Sequence, residues 1–516
     1  MAETHVPPRS GRMVVPGAVT RLTTANWLAI VATAFTFAVY VATALRGVSF
    51  GDWAEMQGVP ARLEVPHTTG FPLYTLLTKA FTFLPIGSIA FRATLLSATA
   101  AAGAIGVLVL IAVRLGVRPV IALAAGIALA GTATLWEEAT FSEMNTLHLL
   151  LCALLIHRAI VWHEERRDRD LRLGALFSGL ALSNHTIALS LVPVVILFVL
   201  VDDGLRLLRR PRLVLELTLL FASGLSFYLF ILVRGLTGPA ALYGDLRSVD
   251  GFFSFVTAAQ YRVDMKFGTG ESLAKAWQAV PDLLAGVQSR ANVVFSLVPL
   301  AGAVILVRRL RWAGWLTVAI VLANVYLYVG YRGDLPHYLL VSWLIFAVWL
   351  AVAVDAAVTW TQERLGSRFE DIEYGLVAVA VLFVASNWAG HDQSANTAGE
   401  EYTRDVLARL PPNALLVTYW DTLTALSYKH CVEGERPDVA IIAHDRPLTA
   451  SCDLITEPLE VVARTRPIYA LETFESSLDR WRDTFDFVTE ATIKVPYGER
   501  KPEFDRPLYR MVPKSS

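Results

Sequence analysis

Apolar runs of membrane-crossing length recur along most of this chain. Reading stretches of about 17–25 mainly apolar residues as helices predicts spans near 27–46, 88–113, 119–135, 142–162, 171–184, 186–201, 213–233, 291–307, 313–330, 337–357 and 372–389. That makes about eleven crossings, the fifth and sixth of them short. From Leu73 to Leu84 the pattern changes: Leu73, Leu76, Leu77, Ala80, Phe81 and Leu84 recur at helical spacing opposite Thr75, Thr78, Lys79 and Thr82. This predicts an amphipathic helix lying in the membrane interface. After about residue 390 the long apolar runs stop. Glu401 to Leu410 reads as a soluble helix closed by Pro411-Pro412. ALLVTYWD and DVAIIAHD are short apolar runs ending in Asp, the pattern of buried parallel strands.

The predicted fold class is therefore an α-helical polytopic membrane protein with a small C-terminal soluble α/β domain. The division is 1–390 for the transmembrane part and 391–516 for the extracytoplasmic domain. Composition agrees: 54% of the 516 residues are hydrophobic and 18% charged, against about a quarter charged in soluble domains. The net charge of −1 argues against bulk attraction to nucleic acid. The polar, Arg-bearing start before the first apolar run suits an uncleaved transmembrane helix better than a signal peptide. Cys152, Cys431 and Cys452 fit no metal motif, and pairing of the last two is left open.

Lys/Arg bias sets the orientation. Arg9, Arg12 and Arg21 precede the first span, and further clusters fall at Arg114 and Arg118, from Arg158 to Arg172, from Arg206 to Arg212, at Arg308 to Arg311, and at Arg364 and Arg368. They alternate onto one side, which predicts a cytoplasmic N-terminus and an extracytoplasmic C-terminal domain in a multi-pass protein of the plasma membrane. The opposite face receives Asp52, Glu137, Glu138, Glu143, His185, Asp334 and His337. Carboxylates and histidines gathered at one membrane face suggest chemistry there.

The run from Gly51 to Ala98 carries a Gly51-Asp52-x-x-Glu55 pair, a His67-x-x-Gly70-Phe71-Pro72-Leu73-Tyr74 turn and a Phe91-Arg92-x-x-Leu95-x-Ser97 segment. Together these resemble the opening signature of glycosyltransferase family 117, a GT-C-type membrane family that contains protein O-mannosyltransferases. Glu143-Met-Asn-Thr-Leu147 resembles its E-x-Y-[AT]-L helix start, with Met144-Asn145 departing from it. Leu182-Ser-Asn-His185, Ala258-Ala-Gln-Tyr-Arg262 and Ser386-Asn-Trp…Asp392 resemble later blocks. In the tail, Trp420 precedes Asp421 where related chains commonly carry Gly, which leaves any role of Asp421 open.

The resemblance implies a GT-C-like fold and an inverting enzyme. It would move a sugar, mannose or another hexose, from a polyprenyl-phosphate donor to an acceptor hydroxyl, with protein Ser/Thr favoured over a glycan or lipid. A base must take the hydroxyl proton, and Asp52 in the first external loop is the candidate. Glu55, one helical turn on, would support Asp52, bind a sugar hydroxyl or hold a divalent ion; no cofactor is called for and metal is not favoured. The leaving phosphate needs positive charge or donors, and His67, His185, Arg262, Arg332 and His337 lie on the predicted side. Glu143 would orient the donor sugar or simply sit at a helix N-terminus. The rival reading is a transporter or flippase for a lipid-linked glycan, which would place charges at mid-membrane depth.

Overall fold

The computed structural model describes residues 16–238, 246–276, 292–331, 335–366, 371–444, 452–453, 455, 457–471, 478–495 and 504–514. Each of the eleven predicted segments is helical. The membrane part comprises α1 (Pro16–Thr43), α2 (Gly51–Gly58), α3 (Pro72–Phe81), α4 (Ile89–Arg114), α5 (Pro119–Ala130), α6 (Ala133–Thr140), α7 (Asn145–Glu165), α8 (Asp168–Asn184), α9 (Val192–Asp202), α10 (Pro211–Leu225), α11 (Tyr228–Thr237), α12 (Val249–Val256), and the helices Asn292–Arg309, Arg311–Gly330, Leu340–Leu365 and Ile372–His391. Fewer of them cross as straight rods than the sequence predicts. Among the described residues six helices are long and apolar enough to span, or eight if each bent pair counts once. The predicted 119–135 span breaks into α5 and α6 with a 69° bend, and 213–233 into α10 and α11 with a 43° bend. Apolar content cannot foresee such bends, because both halves of a broken helix remain equally apolar.

Burial sorts the helices by position. In their most apolar windows α4 is 83% buried and α7 78% buried, whereas α1 is 33% and Ile372–His391 only 11% buried. Exposed leucines such as Leu382, Leu215 and Leu219 then face lipid, since a soluble monomer does not leave apolar area of that extent in water. α4 packs against α1, α5 and α7, and α7 continues onto α8. At the α8–α10 crossing, Gly179 and Gly224 meet so closely that a Cβ on Gly179 would lie 2.2 Å from the Phe221 carbonyl oxygen. No larger residue fits there.

α3 forms where the pattern predicts, but its threonine face turns inward. Thr75 and Thr78 are fully buried while Ala80 is exposed and Leu76 and Leu77 half-buried. The Thr75 hydroxyl donates to the Gly70 carbonyl at 3.2 Å, so the polar stripe meets protein rather than water.

Beyond the last apolar helix, the helices Ala398–Arg409 and Trp420–Cys431 accompany a five-stranded sheet in the order β2-β1-β3-β5-β4. The strands are β1 (Leu415–Thr418), β2 (Ala440–Ala443), β3 (Ile468–Leu471), β4 (Phe485–Val495) and β5 (Phe504–Pro513). As the sequence predicts, β1 and β2 pair in parallel and are almost wholly buried. β4 and β5 add an antiparallel hairpin against β3. Cys431 and Cys452 are joined as a disulfide, and Cys152 is a buried free thiol.

This region does not hang apart from the membrane helices. One apolar cluster unites Val48, Phe50, Ala54 and Ala90 with Tyr402, Leu423, Leu426 and Tyr428. The Glu400 carboxylate accepts from the Val48 backbone N–H at 3.1 Å. The Tyr428 hydroxyl accepts from the Ala90 N–H at 2.8 Å. Asp421 has a structural partner: Arg506 on β5 reaches its carboxylate at 2.6 Å. Asp421→Ala would leave a guanidinium of 3% side-chain exposure without this carboxylate. We expect a loss of about 1–3 kcal/mol, read as a lower thermal midpoint and faster hydrogen exchange in β1 and β5. Exchange at the wild-type rate would show that the pair holds nothing.

Candidate functional site

The first loop is built around two carboxylates on one short helix. Asp52 and Glu55 share α2, three residues apart, so both project to the same side of one turn. Their environments differ sharply. Asp52 is 53% exposed and Glu55 fully buried at the side chain. Burying an ionised carboxylate requires donors, and His67 supplies two. Its backbone N–H donates to Glu55 Oε1 at 2.9 Å and its Nδ1 meets Glu55 Oε2 at 2.5 Å. Burial works against a charge on His67, but the carboxylates of Glu55 and Asp52 outweigh it and lift the imidazole to about 9. The turn that presents His67 closes through Gly70 N–H to the His67 carbonyl at 2.7 Å. Gly70 sits at φ +82°, where a Cβ would also strike Ile231 at 2.6 Å.

The motif residues that follow hold the walls of the site. The Tyr74 hydroxyl bridges Ser97 at 3.0 Å and Ser142 at 2.9 Å. Ser97 donates to the Glu143 carbonyl and accepts from the Glu143 N–H, both at 2.8 Å. Asn184 donates to the Met144 carbonyl at 3.1 Å. These bonds pin the 141–144 link between α6 and α7, so Glu143 precedes its helix instead of opening it. Arg92 works elsewhere: it caps the carbonyls of Thr82, Ile86 and Gly87, closing the turn between α3 and α4.

Glu143, His185, His337 and His67 converge. Phe71 lies 5.1 Å from the His67 ring and 5.3 Å from that of His185. His185 stands 5.9 Å from His148 and 5.7 Å from Tyr338, whose neighbour His337 contacts Glu138 at 3.3 Å. Asn145 donates to Glu138 at 3.0 Å and to Glu143 at 3.3 Å. Glu143, His337 and Tyr338 lie within electrostatic range of Asp52. At His185 the Nδ1 accepts from the Ile187 N–H at 3.2 Å, which leaves Nε2 to carry the proton and donate.

Not every expected residue is drawn in. Arg262 is exposed on a short turn after α12 and bonds Thr257 at 3.1 Å; among the described residues it makes no hydrogen bond to the carboxylate cluster. Its segment runs alongside the site, through a Met265–Tyr331 bridge and Lys266 N–H to the Gly330 carbonyl at 2.7 Å. Arg332 and Asp334 lie outside the described residues. Other groups enter to which the sequence reading gave no role: Asn145, His148, Tyr338 and Trp420, together with Glu138, named there only as one of the carboxylates on that face. The Trp420 indole, from the C-terminal region, donates to Asp52 Oδ1 at 3.2 Å and stands edge-on to His67 at 6.0 Å. Asn145 and Trp420 were visible only as departures from a motif. Asp52, Glu55 and His67 each bring one ligand atom within 4.8 Å of the others, so these three are where a cation could be held. It would have to displace the proton between His67 and Glu55.

The bundle, the buried polar floor and the overlying sheet define the class: a multi-pass membrane protein of the GT-C fold. The crystal structure of ArnT from Cupriavidus metallidurans bound to undecaprenyl phosphate shares that fold, with a TM-score of 0.63 at 12% identity over 93% of this chain and 97% of that one. Its apo form matches with a TM-score of 0.62 over 95% and 98%. Within the class, residues 52–206 match the family model of the Protein O-mannosyl-transferase TMEM260 N-terminal domain. The mouse Protein O-mannosyl-transferase TMEM260 is 27% identical over 435 residues, 78% of this chain. The Dictyostelium discoideum protein of the same name is 20% identical over 456 residues, again 78% of this chain. The chain spans 61% and 55% of the lengths of these two relatives.

The His67–Glu55 pair carries a pH signature. Below about pH 6.5, the ordinary histidine value, His67 is protonated folded or unfolded and the pair contributes in full. As pH rises through about 9 the folded protein loses that proton and the contribution disappears. The stability difference between wild type and Glu55→Gln should therefore shrink from pH 6.5 to 9 in thermal unfolding. A difference constant across that range would show an uncharged His67.

Proposed function

We propose that this chain is a membrane glycosyltransferase that moves a hexose, mannose favoured, from a polyprenyl-phosphate donor to an acceptor hydroxyl, with inversion. The observation that carries the reading is the half-exposed carboxylate of Asp52, set beside a buried and ion-paired Glu55 at the mouth of a polar floor. A general base must be open to the acceptor and still acceptor-only, and Asp52 alone of the two meets both conditions. Asp52 takes the hydroxyl proton as the oxygen attacks the anomeric carbon. The bond from that carbon to the phosphate oxygen breaks, and the pair of electrons leaves with the lipid phosphate.

Glu55 holds His67, and His67⁺ in turn keeps positive charge beside Asp52. The His185 Nε2–H is a donor for the departing phosphate, with Arg262 and Arg332 as further candidates. Glu143 and Glu138, joined through Asn145, offer acceptors to sugar hydroxyls, and His337 orients Glu138. No step is routed through a metal ion. Support comes from the relatives named Protein O-mannosyl-transferase and from the undecaprenyl phosphate held by the ArnT fold. Protein Ser/Thr is the favoured acceptor on the same ground.

The site and the C-terminal domain are assigned to the extracytoplasmic face. The Lys/Arg alternation supports this, as does the Cys431–Cys452 disulfide, which persists in oxidising compartments. Labelling of single cysteines introduced near residue 435 should therefore occur with impermeant reagents on intact cells; labelling only after permeabilisation would reverse the orientation.

The central test is sugar transfer from a synthetic polyprenyl-phosphate sugar by purified protein in nanodiscs. Asp52→Asn should fold, bind donor and lose about 10²–10⁴-fold in turnover; near-normal turnover removes the base. Glu55→Gln should lose less. His185→Ala should weaken polyprenyl-phosphate binding by about tenfold, the scale of one charge-assisted hydrogen bond, and unchanged affinity would take His185 off the phosphate. Movement of the lipid-linked sugar across the bilayer without transfer would favour a flippase.

A further inference from the structure

Asp52 is the exposed member of the carboxylate pair, and little in its own loop restrains it. His67 Nδ1 is 4.0 Å away, too far for a hydrogen bond, and is committed to Glu55 at 2.5 Å. Among the described residues the sole hydrogen-bond donor to Asp52 is the Trp420 indole N–H, at 3.2 Å and 368 residues further along the chain. We propose that Trp420 is a positioning residue for Asp52: the C-terminal domain delivers an indole N–H that holds one carboxylate oxygen and so turns the other toward the acceptor hydroxyl. This rests on the reading of Asp52 as the base.

The scaffold around Trp420 is suited to that task. The Trp420–Cys431 helix begins directly after β1 and packs against α2, the helix that carries Asp52. Both of its ends are tied. At the start, Thr418 and Thr422 hydroxyls meet at 2.8 Å and Asp421 is held by Arg506 at 2.6 Å. Two turns on, Tyr428 accepts from Ala90 N–H at 2.8 Å, with its ring against Gly58, the last residue of α2. A clamped helix carries Trp420 to a fixed place above the loop. An indole reaches across the gap with only two side-chain torsions to freeze, and as a donor without acceptor capacity it cannot compete for the proton that Asp52 must take. Its edge-on contact with His67 adds a second fixed surface beside the carboxylate. The domain thus completes the site as well as covering it.

The test is a double-mutant cycle in the transfer assay. Trp420→Phe keeps a ring and removes the N–H; it should lower kcat by about tenfold with donor KM changed less than about twofold. In an Asp52→Asn background the same change should cost less than about twofold more, because the carboxylate it aims is gone. Tyr428→Phe removes one tie of the same helix but keeps the Trp420 N–H, so it should lower kcat less than Trp420→Phe does, and its effect should likewise vanish in the Asp52→Asn background. The proposal falls if Trp420→Phe raises KM at constant kcat, or if its full penalty persists without Asp52. Should Asp52→Asn alone turn over normally, the base itself is wrong, a separate outcome that also ends this role for Trp420.

Discussion

A fully buried carboxylate at a membrane face is tolerable only if donors meet it, and the rest of this structure follows from how Glu55 is met. Both of its oxygens are bound by one residue, His67, through ring and backbone together. That double contact fixes the loop between α2 and α3 and leaves Asp52 as the carboxylate that faces out. Buried ion pairs add little to net stability, since desolvation offsets most of their attraction. Their use here is specificity: one arrangement of the loop satisfies Glu55, and others leave it unpaired.

The same logic runs outward from the loop. Tyr74, Ser97 and Ser142 form a buried hydroxyl chain that ends on the backbone of Glu143, and Asn184 binds the next carbonyl along. Residues that look catalytic by type are thus divided between joining the polar cluster and holding the backbone that carries it. Arg92 illustrates the second group: a conspicuous cation of the motif is spent on three loop carbonyls. The motif supplies geometry as much as chemistry, because each wall of the site hangs on a neighbour's hydrogen bond.

How much of this was legible from residues alone differs by scale. The helical segments were, because lipid demands long apolar runs with internally satisfied backbones. The pairing of β1 with β2 was too, since both read as buried strands. The one-sided gathering of Asp52, Glu143, His185 and His337 followed from charge alternation in the loops. Trp420 was visible only as an odd residue before Asp421, and Glu138 only as one of two adjacent carboxylates. Which of Glu137 and Glu138 turns to Asn145 and His337 depends on the bend between α5 and α6, and no periodicity encodes it.

The sequence by itself determined the solvent each segment prefers: long apolar runs for lipid, polar loops for one face, short apolar runs for a small buried sheet. Those preferences are local, written in side-chain polarity at fixed spacing. Tertiary structure decided the rest. It chose Glu55 for burial and Asp52 for exposure, broke the third and seventh predicted spans, paired Asp421 with Arg506 and carried Trp420 to Asp52 across 368 positions. The physical reason is that a hydrogen bond between distant residues has no local signature. It exists only once packing has fixed both partners, and the helix on α2 that does so is held by contacts from both ends of the chain.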